Sequence, residues 1–346
     1  MGTLPIPEFF SDPDRVSRLF RVPYQKREGE ARAWAREHGI GPASADARRV
    51  GLLLVDCQTT FCLPDGELFV AGRSGHGAVK DSWRLCRFIY ENLGRITEIV
   101  ATLDTHTAIQ VFHPHFFLDG NGDPPAPYTA IASADLEAGR FRVNPDAAAA
   151  AGLSVDKLGR HALHYCRRLE AAGKYALVVW PYHGMLGGVG HALVPAIEEA
   201  MFFHTIARSA QPVYETKGLN PLTENYSALR PEVLEGADGR PIAEPNRALF
   251  ERLLSYDALI VAGQAKSHCV AWTVSDLADE IGRRDPDGSG GLARRVFLLE
   301  DAASPVVAPG ADFTDAANEA YDGFAEAGMA RVLTTTPVTE WPGFPA

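Results

Sequence analysis

The sequence predicts an α/β fold of three layers, with a mostly parallel central sheet between two layers of helices. Two observations carry this. Short β-rich runs alternate with helical patterns along most of the 346 residues, the arrangement produced by strand–helix–strand units. Several of those runs are apolar throughout, as strands covered on both faces require. In chain order the expected strands are Val50–Asp56, Ile96–Asp104, Tyr175–Trp180, Val213–Thr216, Ala258–Gly263, Arg295–Glu300 and Ala330–Thr334. Helical periodicity covers Gly77–Leu93, Ala192–Ala207, Pro245–Leu254, Ser267–Ile281 and Asp312–Ala327. No segment repeats at a fixed period.

Two regions fall outside this alternation. Residues 1–48 are polar and proline-containing, with a helical pattern near Gly29–His38, and are expected to form an N-terminal extension packed on a neighbouring surface. Residues 49–340 then form the α/β domain, interrupted by an insertion at 107–174. The insertion opens with turn-forming Asp119-Gly-Asn-Gly-Asp-Pro-Pro-Ala-Pro and continues into a helix over Val155–Ala172. Insertions of this length usually carry function or structure of their own. The run from Asp285 to Gly291 reads as a surface loop.

Composition narrows the function classes. A formal net charge of −11 argues against binding nucleic acid or an anionic membrane through bulk charge. The first ten residues lack the basic start and apolar stretch of a signal peptide, and no apolar run reaches the roughly 20 residues of a membrane span. The cysteines, at 57, 62, 86, 166 and 269, are odd in number and form no CxxC pair. A disulfide framework or cysteine-rich zinc site is therefore not expected, and a cytoplasmic location is.

Candidate chemistry gathers where strands end. Cys269 follows the strand Ala258–Gly263 and a tight Gly263-Gln264-Ala265 turn, at the predicted start of a helix. Helix N-termini favour thiolate, and the C-terminal edge of an open α/β sheet is where ligands bind. Asp56 closes the first strand and Lys217 follows the fourth. Singly, each has an ordinary reading: a small core thiol, a turn-capping carboxylate, a solvated lysine. Together they supply what cysteine chemistry needs: a nucleophile, a base and a cation that tunes both. A second group comprises Asp104 and His106, which close the second strand, and His183 in Trp180-Pro-Tyr-His183, expected to close another. Two histidines and a carboxylate with open positions suit catalytic Zn²⁺, Fe²⁺ or Mn²⁺. His113 and His115 are candidate extra ligands or packing residues, and His268 is expected to point away from the substrate as a structural residue.

These segments match a family pattern. Leu-Val-Asp56-x-Gln58-x-x-Phe61, Ala-Thr-Leu-Asp104-x-His106, Trp180-Pro-x-His183, Glu-Thr-Lys217-Gly218 with Asn225-Tyr226-Ser227-Ala228, and Val-Ala-Gly-Gln264-Ala265-Lys-Ser-His-Cys269-Val occur in order across most of residues 50–335. In them the chain resembles the nicotinamidase branch of the isochorismatase-like cysteine hydrolases. The resemblance implies Cys269 as nucleophile, Asp56 as general acid/base and Lys217 as the third member of a catalytic triad. It implies a metal, zinc first and iron or manganese as alternatives, on Asp104, His106 and His183. It also implies a cis peptide between Gln264 and Ala265, an oxyanion hole from the N–H groups of Ala265 and Cys269, and substrate contacts from Phe61, Trp180 and Gln58. Thr59-Thr60 and Gly184 depart from the family pattern, which has Asn-Asp and often Cys there.

The expected function is hydrolysis of nicotinamide to nicotinate and ammonia through a thioester. The alternatives are another small or larger amide, and a non-catalytic binding protein on the same fold. The expected partner is a small-molecule amide, with no nucleic acid and no membrane, and the expected assembly is a homo-oligomer.

Overall fold

In the computed structural model, which describes residues 3–308 and 310–345, the N-terminal segment carries α1 (Tyr24–Glu37). The first strand, β1 (Val50–Val55), runs into a single turn, α2 (Thr59–Cys62), and α3 (Gly77–Glu91) returns the chain to β2 (Glu98–Asp104). Next come short elements and one long helix: β3 (Phe117–Asp119), β4 (Ala130–Ile131), α4 (Ser133–Glu137), β5 (Phe141–Val143), α5 (Pro145–Ala150), the long α6 (Val155–Ala171) and β6 (Leu177–Val178). Regular alternation then resumes with α7 (Pro195–Arg208), β7 (Val213–Lys217), α8 (Arg247–Leu254), β8 (Ala258–Gly263), α9 (Ala271–Arg284) and β9 (Val296–Leu299). The chain ends with a hairpin of β10 (Val307–Ala308) and β11 (Ala311–Asp312), α10 (Thr314–Glu326) and β12 (Ala330–Val332).

Six strands form one parallel sheet in the order β12-β9-β8-β1-β2-β7. The apolar runs place it between two cores because side chains alternate along a strand. Leu52 and Leu54 enter one core with Ile260 and Phe297. Leu53 and Val55 enter the other with Val261 and Leu298. The expected three-layer α/β/α arrangement is therefore the observed one. Register matters more for function. Val55 lies opposite Gly263, and Asp104 opposite Lys217, so the strand ends carrying Asp56, Asp104, Lys217 and Cys269 are level at one edge.

One expected strand is corrected. Tyr175–Trp180 shortens to Leu177–Val178 and pairs antiparallel with β4, outside the central sheet. Its neighbours are also claimed by the segment that follows β2: Tyr128 N–H donates to Val179 O at 2.5 Å, Val179 N–H to Thr129 O at 2.8 Å and Trp180 N–H to Phe112 O at 2.8 Å. An apolar run reads the same whether its backbone partners are central or local. His183 accordingly follows in a loop rather than closing a sheet strand. Among the described residues, no helix is long and apolar enough to cross a membrane.

The N-terminal segment docks through charge. Glu199 on α7 has no exposed surface. Its carboxylate accepts hydrogen bonds from Arg15 Nε (2.9 Å) and NH2 (2.9 Å) and from Arg27 Nε (2.7 Å). Each guanidinium also covers an aromatic ring, Arg15 over Phe20 and Arg27 over Phe9. Removing Glu199 takes away the buried carboxylate that both guanidiniums share, leaving Arg27 with Glu30 alone and Arg15 with partial solvent contact. Glu199→Ala is expected to lower stability by about 3–5 kcal/mol, read as a reduced urea midpoint; an unchanged midpoint would show that this cluster does not hold the segment.

Candidate active site

Each candidate side chain is aimed by a local feature of its strand end. Asp56 has a left-handed backbone (φ 46°), a conformation that Asp tolerates better than most residues. Its N–H donates to Thr102 Oγ1 at 3.0 Å, and the same hydroxyl donates to its Oδ1 at 2.6 Å. Gly263, which ends β8, has φ 119°, and a Cβ there would lie 2.1 Å from Val55 O. Only glycine lets β8 turn this close against β1. The Gln264–Ala265 peptide that follows is cis, as the resemblance implies. Cys269 then sits within a π-helical turn, Lys266–Val270, and the regular helix begins at Ala271. The expected helix start at Ser267 is thus displaced, and π-turns of this kind often occur at functional sites.

Lys217 joins the two candidate groups. Its Nζ donates to Asp104 Oδ1 at 2.8 Å and to Asn225 O at 2.7 Å, and lies 3.6 Å from Cys269 Sγ. It is 3.0 Å from Asp56 Oδ2, an ion pair rather than a directed hydrogen bond. That oxygen therefore keeps a lone pair free. All four side chains are buried, and burial governs their protonation. It pushes the Cys269 thiol well up; Lys217 opposes this, while the charges of Asp56 and Asp104 reinforce it. Burial likewise raises Asp56 against the pull of Lys217. Burial would lower Lys217, but Asp104, Asp56 and Cys269 together hold its ammonium well above the usual lysine range. At rest, then, the site holds a protonated thiol beside a firmly charged lysine. The thiolate expected from a helix N-terminus alone is outweighed by desolvation.

Asp104, His106 and His183 also meet, with one ligand atom from each within 4.8 Å of the others. His106 Nδ1 lies 3.2 Å from Gly218 O, and His183 Nδ1 lies 2.7 Å from Pro181 O. A carbonyl only accepts, so each Nδ1 carries a proton, and Nε2 is the atom left on each ring to face a ligand. Those Nε2 atoms face Asp104 Oδ2 at 2.8 Å and 3.5 Å. Two imidazole nitrogens and a carboxylate converging on one point form a donor set that fits a divalent metal. Gly218 permits the close packing, since a Cβ there would stand 2.6 Å from the His106 ring. His113 is buried with its ring 5.7 Å and 5.8 Å from those of His106 and His183. Neither it nor His115 belongs to the ligand cluster.

A small pocket opens onto both groups. Cys269, Ala265, Asp104 and His183 line it together with the aromatic rings of Phe61, Trp180 and Tyr226. Trp180 Nε1 donates to Tyr226 Oη at 3.0 Å, which fixes both rings. Two expectations are corrected. Gln58 does not line the pocket: its Oε1 accepts Asp104 N–H at 2.7 Å and its Nε2 donates to Asp104 O at 2.8 Å and His191 O at 2.9 Å. Both ends of the amide are used to fix the backbone of Asp104. His268 does line the pocket, within 4.8 Å of Tyr175 and 4.7 Å of Phe313 between ring centres. The π-turn changes the angular step along the chain, so a residue beside Cys269 can still share its cavity. Leu68, Val70, Glu224 and Val306 complete the lining without any motif to mark them, although Glu224 adjoins Asn225-Tyr226.

Comparison with solved structures locates this architecture. The yeast nicotinamidase Pnc1p, bound to the inhibitor nicotinaldehyde, superposes with a TM-score of 0.50 at 15% identity, covering 82% of this chain and 99% of that one. The chain has that protein's fold. An Acinetobacter baumanii nicotinamidase/pyrazinamidase matches at 20% identity, covering 84% and 98%, with a TM-score of 0.48. A Pyrococcus horikoshii pyrazinamidase in complex with zinc matches at 16%, covering 82% and 99%, with a TM-score of 0.43. No family model and no curated protein matches the sequence.

Proposed function

We propose that the protein is a cysteine amidohydrolase, with nicotinamide to nicotinate and ammonia the leading reaction. The observation that carries this is the position of Lys217, whose ammonium lies 3.6 Å from the sulfur of Cys269, a pocket-lining residue, and 3.0 Å from the Asp56 carboxylate. Asp56 takes the thiol proton as sulfur attacks the carboxamide carbon, and its raised affinity for protons suits that task. The carbonyl electron pair moves onto oxygen, where the N–H groups of Ala265 and Cys269 stabilise it. Collapse expels the amine, which leaves as ammonia with the proton from Asp56. Water then hydrolyses the thioester, with Asp56 as base, and restores the thiol. Lys217 remains protonated throughout and compensates the charge that passes between sulfur and carboxylate.

Asp104, His106 and His183 would hold a divalent ion, Zn²⁺ first and Fe²⁺ or Mn²⁺ otherwise. Bound there, such an ion supplies a Lewis-acid contact for a ring nitrogen, which orients a flat heteroaromatic substrate. Phe61 and Trp180 suit the faces of such a ring. The fold shared with the yeast nicotinamidase supports the same reading. Among the described residues no arginine or lysine lines the pocket, and Lys217, beside Cys269, is already committed to two carboxylates. An amide bearing its own carboxylate therefore has no partner there. Ammonia release from a panel of carboxamides tests the assignment: nicotinamide and other neutral aromatic amides should turn over, and anionic amides at least about 100-fold more slowly. Turnover of anionic or aliphatic amides without turnover of nicotinamide would remove nicotinamide as the substrate.

A further inference from the structure

We propose that Asp81, a carboxyl on α3 outside the pocket, is a positioning residue for the oxyanion-binding turn and acts through Gln264. The inference rests on the amidohydrolase reading above. Asp81 is 4% exposed and faces the turn that connects β8 to Cys269. Its Oδ2 accepts from Gln264 Nε2 at 2.9 Å, and the Ser304 hydroxyl is hydrogen-bonded to the same carboxyl. Ser304 closes the arrangement: its N–H donates to Gln264 Oε1 at 3.3 Å, and its carbonyl accepts from Lys266 N–H at 2.8 Å. Gln264 N–H is also fixed, to Val55 O at 2.8 Å. The residues on both sides of Ala265 are therefore held by one network, and Asp81 is its anionic anchor. Ala265 itself lines the pocket. An oxyanion donor is effective only when its N–H is aimed before the charge develops, and this network provides the aim.

The anchor is sensitive to pH. On its own helix, Asp81 faces Arg84 at 3.6 Å. From other elements it feels Asp301, Cys57 and Cys62, and Tyr321 on α10. Arg84 is the one cation among these, and its side chain is 40% exposed, so solvent weakens the pairing. Burial consequently pushes Asp81 up to about 6. Above that pH the carboxylate makes charge-assisted bonds to Gln264 and Ser304. Below it the bonds become neutral and weaker, and the turn is less firmly held.

Asp81→Asn reproduces the neutral state at every pH with almost unchanged shape. It is expected to lower kcat by about tenfold with KM unchanged, because the aim of an oxyanion donor matters in the transition state. The part of the acidic fall in kcat that titrates near pH 6 with Asp81 should be missing from the same variant, while the fall set by protonation of Asp56 remains. Adding Gln264→Glu to Asp81→Asn moves the charge across the contact and should restore kcat to within about threefold. A second readout needs no turnover: the Cys269 sulfur adds to the carbonyl carbon of an aromatic aldehyde as its proton passes to Asp56, and the carbonyl oxygen becomes an oxyanion in the same hole. Wild type should bind it, Cys269→Ala should not, and Asp81→Asn should bind it about tenfold more weakly. If Cys269→Ala binds as wild type does, the amidohydrolase reading fails and this inference with it. If only the Cys269 variant is impaired, while Asp81→Asn keeps wild-type kcat, pH profile and aldehyde affinity, the reading stands and the role of Asp81 is overturned.

Discussion

Cys269→Ala is expected to reduce amide hydrolysis by about four orders of magnitude or more, with folding intact. The size follows from the proposed chemistry: without sulfur no thioester forms, and the remaining groups act only through binding and oxyanion stabilisation, which leave a small residue of the rate. The thiol is 7% exposed, and Lys217, 3.6 Å from its sulfur, keeps Asp56, Asp104 and the Asn225 carbonyl as partners when the sulfur is gone. Its loss should thus leave the local charge balance unchanged, and the melting temperature with it. Cys269→Ser discriminates further. A hydroxyl is a far poorer nucleophile at neutral pH, and Asp56 is not a strong enough base to compensate, so serine should be nearly as inactive as alanine. Ammonia release and thermal unfolding measured on the same preparations check both statements. Activity of either variant within tenfold of wild type would point to a non-covalent mechanism or to a binding protein with a contaminating hydrolase.

The sheet and most of this site were legible in the sequence for one physical reason. In a parallel sheet, apolar runs end where the chain leaves the core, so a polar residue that closes such a run lies at the ligand-binding edge. Asp56, Asp104 and Lys217 each do so, and in-register pairing then makes neighbours of residues more than a hundred positions apart, as with Asp104 and Lys217. What could not be read depends on local geometry with no periodic signal. The Tyr175–Trp180 run has the composition of a central strand, but its backbone is paired by the segment after β2. His268 enters the pocket because a π-turn shifts the helical step. Gln58 has the polarity of a substrate ligand, yet its amide is used up on the backbone of Asp104. Asp81 sits in the middle of an amphipathic helix, where a charged residue reads as surface; only its contact with Gln264, 183 positions away, reveals otherwise.

Lys217→Met should separate the two roles of the lysine. Methionine approximates the length of the side chain without the charge, so Asp56 and Asp104 lose the cation that lies 3.0 Å and 2.8 Å from them. Breaking a buried charge cluster in this way is expected to cost about 3–5 kcal/mol near neutral pH, read from urea denaturation. Activity should fall by about three orders of magnitude, because Asp56 then holds its proton and no longer accepts one from sulfur. The pH dependence distinguishes the two effects. Asp56 already binds protons more tightly than an ordinary carboxyl, through burial that Lys217 only partly offsets, and removing the lysine moves it further in that direction. A carboxyl whose folded pKa lies above its unfolded value destabilises the fold when ionised and ceases to do so once protonated. The deficit in stability should therefore be greatest above the raised pKa and shrink as pH falls through it. Activity has no such recovery, since the protonated carboxyl that relieves the fold is the form unable to serve as base. A variant that regains both stability and turnover at low pH would show that Lys217 acts by holding the fold together, and that the transfer between Cys269 and Asp56 proceeds without it.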